Sequence, residues 1–345
     1  TYRIQLIAPV VLYQSTEKPQ INTPQTIEPG FSVGTFNLGN YFDAMDDPDV
    51  QDMVYSTEGY YLKQQKLALT IHEILGEPDV LAVQEIENFT VLNALVNREE
   101  ISSTYQFIWE DGPDIRGIDS ALLYNTAKCQ LLDSYSRQGC TQLVDGLGPD
   151  GNLDMLSPEN IQTCDSNSDG MLDGNRLFSR PPLFVQLAIC QKHCDFVESE
   201  EETAAVWFVA VHLKSKMQDT IWNAYTLPRR VEQANTIAKL IREIYTSDPN
   251  ANIILLGDLN DYPTSQPIEV FTESGAKDLS HTINPEQRYS YIFQGISQVL
   301  DYVMPFPSMQ YTADKLLAQH TNAEIPHLFS SIPDTYYRSS DHDRL

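Results

Sequence analysis

Residues of the types that carry out acid–base and metal chemistry stand at the ends of strand-like runs in this 345-residue sequence. They are Asn37, Gln84, Glu85, His212, Asp258, Asn260, Asp301, Asp341 and His342. A layered α/β protein carries functional residues on the loops at its strand ends, so we expect these side chains to meet in space. The set contains carboxylates, amides and two histidines but no serine or cysteine nucleophile. This composition predicts metal-assisted hydrolysis.

Hard oxygen ligands within this set indicate which metal ion is involved. The carboxylates of Glu85 and Asp341 and the side-chain oxygen of Asn37 suit Mg²⁺ or Mn²⁺, which prefer carboxylates, water and phosphate oxygens. Taken singly, each residue has an ordinary structural explanation: Asn37 as a turn cap, Glu85 as an ion-pair partner, His212 as a core histidine. Their recurrence at successive strand ends favours a shared site.

The elements that must position these residues are short apolar runs rich in β-branched and aromatic residues, each of strand length. They are FSVGTFNL (31–38), DVLAVQE (79–85), IDSALLYN (118–125), PLFVQLAIC (182–190), AVWFVAVHL (205–213), NIILLG (252–257) and VLDYVM (299–304). Helical periodicity occurs at 60–75 and at 228–245, where Pro228 is typical of a helix start. Strands mixed with helices predict a layered α/β domain over 31–345, after an extended, proline-rich lead-in over 1–30.

An acidic stretch from 138 to 175 interrupts this pattern, and we interpret it as a surface insertion because it has no Lys, Arg or His. Asp165, Asn167, Asp169 and Gly170 reproduce the first half of an EF-hand calcium loop. Position twelve of that loop is Arg176, so another acid must complete the site. The candidates are Asp173 and a second alternating set, Asp150, Asn152 and Asp154. A solvated turn without calcium is the other interpretation.

Composition limits the function and the location. Lys and Arg total 22 against 48 Asp and Glu, a formal net charge of −26, which excludes binding to nucleic acid or an anionic membrane by overall charge. No apolar run reaches the ~18 residues of a membrane span. The sequence begins at Thr1 without a Met or an apolar leader, as a mature secreted chain or a trimmed domain would. No obligate protein partner is evident.

The five cysteines also bear on location, because disulfides form in oxidising compartments. They are Cys129, Cys140, Cys164, Cys190 and Cys194. We expect the neighbouring pairs Cys129–Cys140 and Cys190–Cys194, with Cys164 left over, and other connectivities or reduced core thiols are the alternatives. Clustered cysteines and high acidity favour a secreted or periplasmic protein.

Eight segments in order resemble a known superfamily. They are VGTFNLGNYFD (33–43), DVLAVQEIEN (79–88), DSALLYN (119–125), FSRPPLFVQL (178–187), FVAVHLKSK (208–216), LLGDLNDYP (255–263), LDYVMP (300–305) and SSDHD (339–343). Together they resemble the endonuclease/exonuclease/phosphatase superfamily with the DNase I-like fold, and most of all its bacterial extracellular nucleases. Members usually continue past SSDHD with a proline and a strand, whereas this sequence reads Arg344-Leu345. Either the sequence stops early, or another segment, such as YRIQLIAPVVLY near the start, completes that sheet edge.

The resemblance implies a four-layer α/β/β/α sandwich of two mixed β-sheets, an α/β (α+β) fold with the site at one end. It also implies that Glu85 is the principal ligand of a Mg²⁺ or Mn²⁺ ion, with Asn37 and Asp341 near the same ion.

The remaining roles follow from the same resemblance. His342, hydrogen-bonded to Asp301, would be the acid–base histidine, and His212 would contact the scissile phosphate or protonate the leaving oxygen. Asp258 would orient or deprotonate the attacking water, and Asn260 would donate a hydrogen bond to a phosphoryl oxygen.

Basic residues near these motifs suggest how a phosphate is held. Arg180 resembles a phosphate-contacting arginine, because a guanidinium can bind two phosphate oxygens at once. Lys214 and Lys216, with Arg229 and Arg230, form a basic cluster that would extend the contact along a polymer. A solvated helix start and loop is the alternative interpretation.

The sequence therefore predicts a divalent-metal-dependent phosphoesterase, a secreted endonuclease that hydrolyses DNA or RNA phosphodiesters by in-line water attack. Because the net charge of −26 opposes a polyanion, the alternative is a phosphatase or phosphodiesterase of small or lipid phosphoesters. A non-catalytic, calcium-stabilised binding module is a more remote alternative.

Overall fold

The computed structural model describes residues 30–144, 161–190, 203–217, 219–220, 222–309 and 316–345. The strands are β1 (Val33–Tyr41), β2 (Val80–Ile86), β3 (Tyr105–Trp109), β4 (Asp119–Asn125), β5 (Cys129–Ser136), β6 (Cys140–Thr141), β7 (Asn175–Arg176), β8 (Leu183–Cys190), β9 (Thr203–His212), β10 (Asn252–Asp258), β11 (Tyr291–Phe293), β12 (Ile296–Gln298) and β13 (Asp301–Pro305). The α-helices are α1 (Thr57–Leu69), α2 (Phe89–Val96), α3 (Leu227–Ser247) and α4 (Gln266–Glu273). Short π or 3₁₀ turns lie at Thr70–Ile74, Leu279–Thr282, Pro285–Gln287 and His327–Ser331.

Two mixed sheets form the centre of the fold. One has the strand order β1-β2-β4-β3 and the other β13-β10-β9-β8-β5. In each sheet one neighbouring pair is parallel, β1 with β2 and β9 with β10, and the remaining pairs are antiparallel. Small hairpins pair β6 with β7 and β11 with β12. Leu345 exchanges backbone hydrogen bonds with Thr35 of β1.

Three apolar clusters hold the layers together. Between the sheets, β2 and β4 pack on β8, β9 and β10 through residues that include Val80, Ala82, Leu122, Val185, Leu187, Phe208 and Leu256. The outer face of the second sheet is covered by α3 and α4, and the outer face of the first sheet by α1 and α2. The predicted α/β/β/α sandwich of the DNase I-like fold is thus confirmed.

The helix α3 shows how the sequence builds an outer layer. Pro228 lies in its first turn, where the missing N–H costs nothing. Its buried face includes Ala234, Ile237, Ile241 and Ile244, as the helical period over 228–245 predicts. No helix in the described ranges is long and apolar enough to span a membrane.

The disulfide prediction is wrong for Cys129. The bond forms between Cys140 and Cys164, with 5.9 Å between their Cα atoms, whereas Cys129 is a free, buried thiol. Cys129 begins β5 and packs in the core between the sheets, while Cys140 lies in the separate β6–β7 hairpin region. Cys190 is disulfide-bonded, and its expected partner Cys194 lies outside the described residues.

Two other predictions fall on residues that are not described. The extended lead-in over 1–30 has only its last residue in the described ranges, and the second alternating acidic set, Asp150, Asn152 and Asp154, lies in the gap at 145–160.

Candidate active site

Three strands of the second sheet place an acidic or imidazole residue in one row. β9 ends at His212, β10 ends at Asp258 and β13 begins at Asp301. Asp258 stands opposite His212 in the parallel pair and opposite Asp301 in the antiparallel pair. Residues opposite one another on neighbouring strands project from the same face of a sheet. The register therefore brings these three side chains together.

Gly257, immediately before Asp258, makes this row possible. Its φ is +139°, and a Cβ atom there would lie 1.9 Å from the carbonyl oxygen of Val211 in β9. Only glycine tolerates both the backbone conformation and this approach.

Asp258 is the centre of the polar contacts. Its Oδ2 accepts a hydrogen bond from Asn37 Nδ2 at 3.1 Å, and its Oδ1 accepts one from the backbone N–H of Asn260 at 2.8 Å. The Nε2 atoms of His212 and His342 lie 3.6 Å and 3.9 Å from Asp258 Oδ2. The carboxylate thus lies between two imidazoles, with all four partners drawn from different segments.

Asp258 and His342 have raised pKa values. Burial, followed by the charge of Asp301, raises the pKa of Asp258 to about 7. Burial opposes the charged form of His342, but the carboxylates of Asp301 and Asp258 outweigh it and raise the pKa of His342 well above its usual value. The predicted hydrogen bond is present, with His342 Nδ1 2.9 Å from Asp301 Oδ2, and the ring of Tyr291 lies 4.6 Å from the imidazole.

His212 is shifted in the opposite direction. Burial, followed by the charges of Arg180 and Arg116, lowers the pKa of His212 well below its usual value. Its Nδ1 is buried with no hydrogen-bond partner in the described ranges. The site therefore contains one imidazole held in the charged form and one held neutral, an arrangement that separates acid from base functions.

Asn260 follows β10 in the left-handed region, with φ +51°. Its backbone N–H is used by Asp258, and its Nδ2 donates to the carbonyl oxygen of Leu213 at 3.1 Å. An amide nitrogen carries two hydrogens, so one remains for a phosphoryl oxygen. The predicted role of Asn260 as a phosphate donor stays a prediction.

The second part of the site lies on the first sheet, where both β1 and β2 depart from regular pairing. The register shifts between Asn37 and Tyr41 in β1, so this strand continues beyond Asn37 instead of ending there as expected. Glu85 of β2 has φ +64° and lies at a second register shift. Irregularities of this kind redirect side chains next to functional sites. Here the backbone N–H of Asn40 donates to Glu85 Oε2 at 2.7 Å.

The turn at Gly39 fits against the SSDHD segment. A Cβ atom on Gly39 would lie 2.8 Å from Ser340 Oγ and 2.9 Å from Asp341 Oδ1, so glycine leaves room for the Asp341 carboxylate. Lys63 of α1 donates to the carbonyl oxygens of Gly39 at 3.1 Å and Ser339 at 2.5 Å. Although burial opposes ionisation of Asp341, the charges of His342 and Lys63 keep its pKa below the usual value.

The residues present fit a divalent cation. Glu85 and Asp341 both lie near Lys63, whose pKa burial lowers to about 8 against the opposing charges of the two carboxylates. Asn37 Oδ1 accepts one hydrogen bond, from Gly39 N at 2.9 Å, and a carbonyl oxygen has a second lone pair to offer an ion. This oxygen-rich donor set is of the kind that Mg²⁺ and Mn²⁺ prefer.

A neighbouring group offers another position for an ion. In the described part of the chain, the group of three metal-ligand side chains within 4.8 Å of one another is Asp258, Asp301 and His342. The sequence prediction assigned these three to catalysis rather than to metal binding. Their imidazole–carboxylate hydrogen bond suits acid–base work, and the Glu85–Asp341 side offers the oxygen ligands.

The predicted phosphate-binding residues are more enclosed than expected. Arg180 is 4% exposed, with Nη1 2.5 Å from Asp114 Oδ2 and Nη2 3.0 Å from the carbonyl oxygen of Leu213. Lys216 is half-buried, bonds Asp261 Oδ1 at 2.6 Å and lies over the ring of Tyr262. The structure brings Arg180 beside His212. Phosphate binding by Arg180, Lys214 and Lys216 stays a prediction.

The prediction that Arg229 and Arg230 extend a basic surface is wrong. Both are buried at the start of α3. Arg230 pairs with Asp261 at 2.8 Å and Asp219 at 3.0 Å, and Arg229 donates to the side-chain oxygen of Asn175. Their charges hold loops together and face no solvent.

The aspartates of the acidic insertion accept hydrogen bonds from other residues of the insertion. Asp165 accepts backbone hydrogen bonds from residues 167–170, and Asp173 accepts one from Ser166 and one from the side chain of Gln142. Asp169 Oδ1 accepts from Met171 N, and Asn167 Oδ1 accepts from Asp169 N. Calcium binding by this loop stays a prediction.

Sequence reasoning missed three residues at the site, Lys63, Arg116 and Tyr291. Lys63 lies on the helix α1, and the other two lie in a loop and a short hairpin without a strong periodic pattern. Their basic or aromatic types are common on any surface, so the sequence held no signal that singled them out.

This chain is similar to known proteins in its sequence profile and in its fold. The profile described as the Endonuclease/Exonuclease/phosphatase family matches residues 32–146 and 189–303. No curated protein sequence matches.

Solved structures are similar in fold. The human Nocturnin catalytic domain with bound sulfate anion has a TM-score of 0.51 and 14% identity, covering 92% of this chain and 95% of its own. An endonuclease/exonuclease/phosphatase from Bacteroides vulgatus has a TM-score of 0.51 and 16% identity, covering 91% and 96%. A mannosyl-6-phosphatase from Bacteroides thetaiotaomicron has a TM-score of 0.50 and 15% identity, covering 91% and 97%.

Proposed function

The chain belongs to the endonuclease/exonuclease/phosphatase family and is a phosphoric ester hydrolase, and from this premise we propose that it is a divalent-metal-dependent phosphodiesterase, a secreted endonuclease of DNA or RNA. The observation that carries the proposal is the position of Asp258 between two imidazoles, 3.6 Å from His212 and 3.9 Å from His342. In-line attack on phosphorus needs one group near the entering water and another near the leaving oxygen, and this arrangement supplies both.

The residues divide the proton transfers according to their pKa values. Asp258, with its pKa raised to about 7 by burial and by Asp301, takes a proton from water at neutral pH. His342, kept charged mainly by Asp301, returns a proton to the leaving oxygen. His212 stays neutral and donates a hydrogen bond to the phosphate through Nε2, while Asn260 donates its remaining amide hydrogen to a phosphoryl oxygen.

Glu85, Asp341 and Asn37 would hold the ion, Mg²⁺ or Mn²⁺. A bound divalent cation neutralises charge that develops on the phosphoryl oxygens. Other residues of the chain hold these ligands in position. The backbone N–H of Asn40 donates to Glu85, and Lys63 donates to the carbonyl oxygen of Gly39 in the turn beside Asp341.

A second candidate is supported by the buried arginines. Arg229 and Arg230 are buried, so they do not form part of a basic surface that could bind a polyanion. The net charge of −26 is therefore not offset by these two residues at the protein surface. A small phosphoester carries less charge and meets less repulsion. We therefore keep a phosphatase or phosphodiesterase of small phosphoesters as the alternative.

The test is a parallel assay of linear duplex DNA, RNA, bis-p-nitrophenyl phosphate and p-nitrophenyl phosphate, each with Mg²⁺, Mn²⁺ or Ca²⁺. The proposal expects cleavage of a polymer and of the diester, abolished by chelator and strongly reduced by His342→Ala. Rapid monoester cleavage with intact polymers would favour the alternative instead.

Secretion is part of the proposal and is supported by the Cys140–Cys164 disulfide, since such bonds persist in oxidising compartments. Fractionation of the producing cells, with quantification of the oxidised protein outside the cytoplasm, tests it. Recovery only as reduced cytoplasmic protein would contradict it.

A further inference from the structure

A loop that the sequence motifs did not implicate carries an arginine at the edge of the site. Arg116 lies between β3 and β4, and its Nη1 donates to Asn40 Oδ1 at 3.2 Å. Asn40 in turn donates its backbone N–H to Glu85 Oε2. Arg116 is also close enough to His212 for its charge to act on that imidazole. The guanidinium therefore lies between the expected metal side of the site and a histidine of the row.

The difference between Arg116 and Arg180 comes from how they share Asp114. Asp114 Oδ2 bonds Arg180 at 2.5 Å, and Asp114 Oδ1 lies 3.6 Å from Arg116 Nε. One carboxylate between two guanidinium groups leaves one net positive charge. Arg180 is 4% exposed and has both terminal nitrogens occupied, whereas the Arg116 side chain is 36% exposed. In the described part of the chain, Arg116 Nη2 donates no hydrogen bond to another residue.

The loop holds Arg116 in place. Asp114 accepts the backbone N–H of Arg116 at 2.9 Å, and the carbonyl oxygen of Ile115 accepts the N–H of Gln51 at 2.6 Å. Gly117 has φ +64° and lies against Val50, where a Cβ atom would come within 2.9 Å of the Val50 side chain. A side chain fixed at its base and open at its tip can bind an anion without a large loss of conformational freedom.

We propose that Arg116, rather than the buried Arg180, is the arginine that donates hydrogen bonds to a non-bridging oxygen of the phosphate being cleaved. The proposal rests on the proposed function for the identity of the substrate. A site that contains Glu85, Asp258, Asp301 and Asp341 repels an anion, so an exposed cation beside it lowers the free energy of the bound phosphate. The Nη2 group supplies that contact while Nη1 keeps the bond to Asn40.

Three measurements test this, and the first two do not depend on each other. The first is calorimetric binding of inorganic phosphate to the Mn²⁺-loaded protein. We expect Arg116→Ala to weaken phosphate binding about tenfold or more, which corresponds to the loss of one charge-assisted hydrogen bond. Arg116→Lys should recover part of the loss, because it restores the charge without the planar guanidinium. Arg137→Ala, which removes an arginine directly after β5, is the matched control and should bind as the wild type does.

The second measurement is kcat/KM on bis-p-nitrophenyl phosphate and on a polynucleotide. A contact to the reacting phosphate should lower both by a similar factor, on the order of 10² for Arg116→Ala. A loss on the polynucleotide alone would overturn the proposal, because it would place the contact at a flanking phosphate. Unchanged phosphate binding would also overturn it, whereas a wild-type protein that binds phosphate but cleaves no phosphoester would defeat the proposed function instead.

A positioning role through Asn40 gives a different result. If Arg116 acted only by holding the turn that bonds Glu85, its removal would weaken Mn²⁺ binding, measured by calorimetry without phosphate. We expect unchanged Mn²⁺ affinity in both Arg116→Ala and Arg116→Lys, and an unchanged melting temperature in Arg116→Lys. Parallel loss of Mn²⁺ and phosphate binding in both variants would overturn the proposal.

Discussion

Two acid-rich regions of this molecule have opposite surroundings, the strand-end row around Asp258 and the insertion loop around Asp165. Asp258 is buried, and its burial with Asp301 nearby raises its pKa to about 7. Asp165 is exposed, and hydrogen bonds from Gly170 and other backbone N–H groups lower its pKa. Both regions place oxygen atoms close together, but only the first holds carboxylates in an environment that opposes their charge.

This difference supports the proposal that one of the two acid-rich regions is the catalytic one. A carboxylate that accepts several backbone hydrogen bonds is already stabilised as an anion, so it neither needs a proton nor readily takes one. A buried carboxylate between two imidazoles exchanges protons at neutral pH, which is what a general base must do. We therefore propose that catalysis takes place at Asp258 and that the Asp165 loop has a structural role.

The largest expected effect breaks the row itself. His212→Ala, His342→Ala and Asp258→Ala should each lower kcat by a factor on the order of 10² or more, because general acid–base groups contribute that much. Glu85→Gln should lower activity in a way that extra metal partly restores. Asp133→Asn, on the exposed face of β5, is the control. Near-normal turnover of the His342 variant on every phosphoester would refute the site assignment.

The pH profile sharpens the comparison. Asp258 acts as a base only when deprotonated, so kcat should rise as pH increases through about 7. His342 acts as an acid only when protonated, so kcat should fall again at alkaline pH, above its raised pKa. Burial lowers the pKa of His342, and the charge of Asp301 is the main cause that raises it. Asp301→Asn removes this charge, so the fall of kcat at alkaline pH should move to lower pH. If the fall of kcat at alkaline pH does not move in this variant, a group other than His342 causes it.

A third acid, Asp119, tests whether burial alone makes a carboxylate destabilise the folded protein. Its Oδ1 accepts the N–H of Gly112 at 2.9 Å, its Oδ2 is buried without a partner in the described ranges, and burial followed by the charge of Asp111 raises its pKa to about 8. Because this folded-state pKa lies above the unfolded value of about 4, the protein loses stability as pH rises between the two values.

Asp119→Asn should therefore raise the free energy of unfolding by about 1–3 kcal/mol at pH 8 and by little at pH 4. Denaturant unfolding at the two pH values measures it, with Asp133→Asn as an exposed control. A gain that is equal at both pH values would show that the effect is not electrostatic.

The sequence predicted seven of the strands, β1, β2, β4, β8, β9, β10 and β13, and the meeting of several of their polar ends, because both depend on local apolar runs and on sheet geometry. It did not predict β3 and β5, the edge strands of the two main sheets. AVWFVAVHL (205–213) corresponds to β9, and His212 lies at its end as expected. The departures from regular pairing at Glu85 and Asn40 could not be predicted, since nothing local marks a positive φ at a non-glycine residue. Their contacts arise only when β1 and β2 are side by side.

The burial of charged side chains is a second feature that could not be predicted from the sequence. Arg229 and Arg230 stand at the start of a helix and follow Lys214 and Lys216 in the sequence, a pattern that is typical of a solvated surface. Their partners Asn175 and Asp261 come from segments 54 and 31 residues away. The disulfide of Cys140 likewise spans 24 residues and joins it to Cys164 instead of to the nearer Cys129. Pairings of this length depend on the topology, which sequence spacing does not reveal.

The smallest expected effect concerns calcium at the insertion loop. The loop is already held without an ion, because the Cys140–Cys164 disulfide attaches its first end to β6 and Cys164 pairs with Gly174 at its other end. Asp165 and Asp173 also accept hydrogen bonds from the loop's own backbone. An ion therefore has little left to order, and what it adds comes from binding to the folded state in preference to the unfolded one.

We expect millimolar Ca²⁺ to raise the melting temperature by about 2–4 °C over excess chelator, with Mg²⁺ held constant. Asp165→Asn together with Asp169→Asn should remove the rise, because two of the alternating oxygen ligands lose their charge. Scanning calorimetry of both proteins at two Ca²⁺ concentrations separates a specific site from a general salt effect. If the double variant responds to Ca²⁺ as the parent does, the ion binds elsewhere, and the loop is a turn held by its disulfide and its own hydrogen bonds. The contrast with Asp258 would then be complete, since the loop would bind neither a proton near neutrality nor a metal ion.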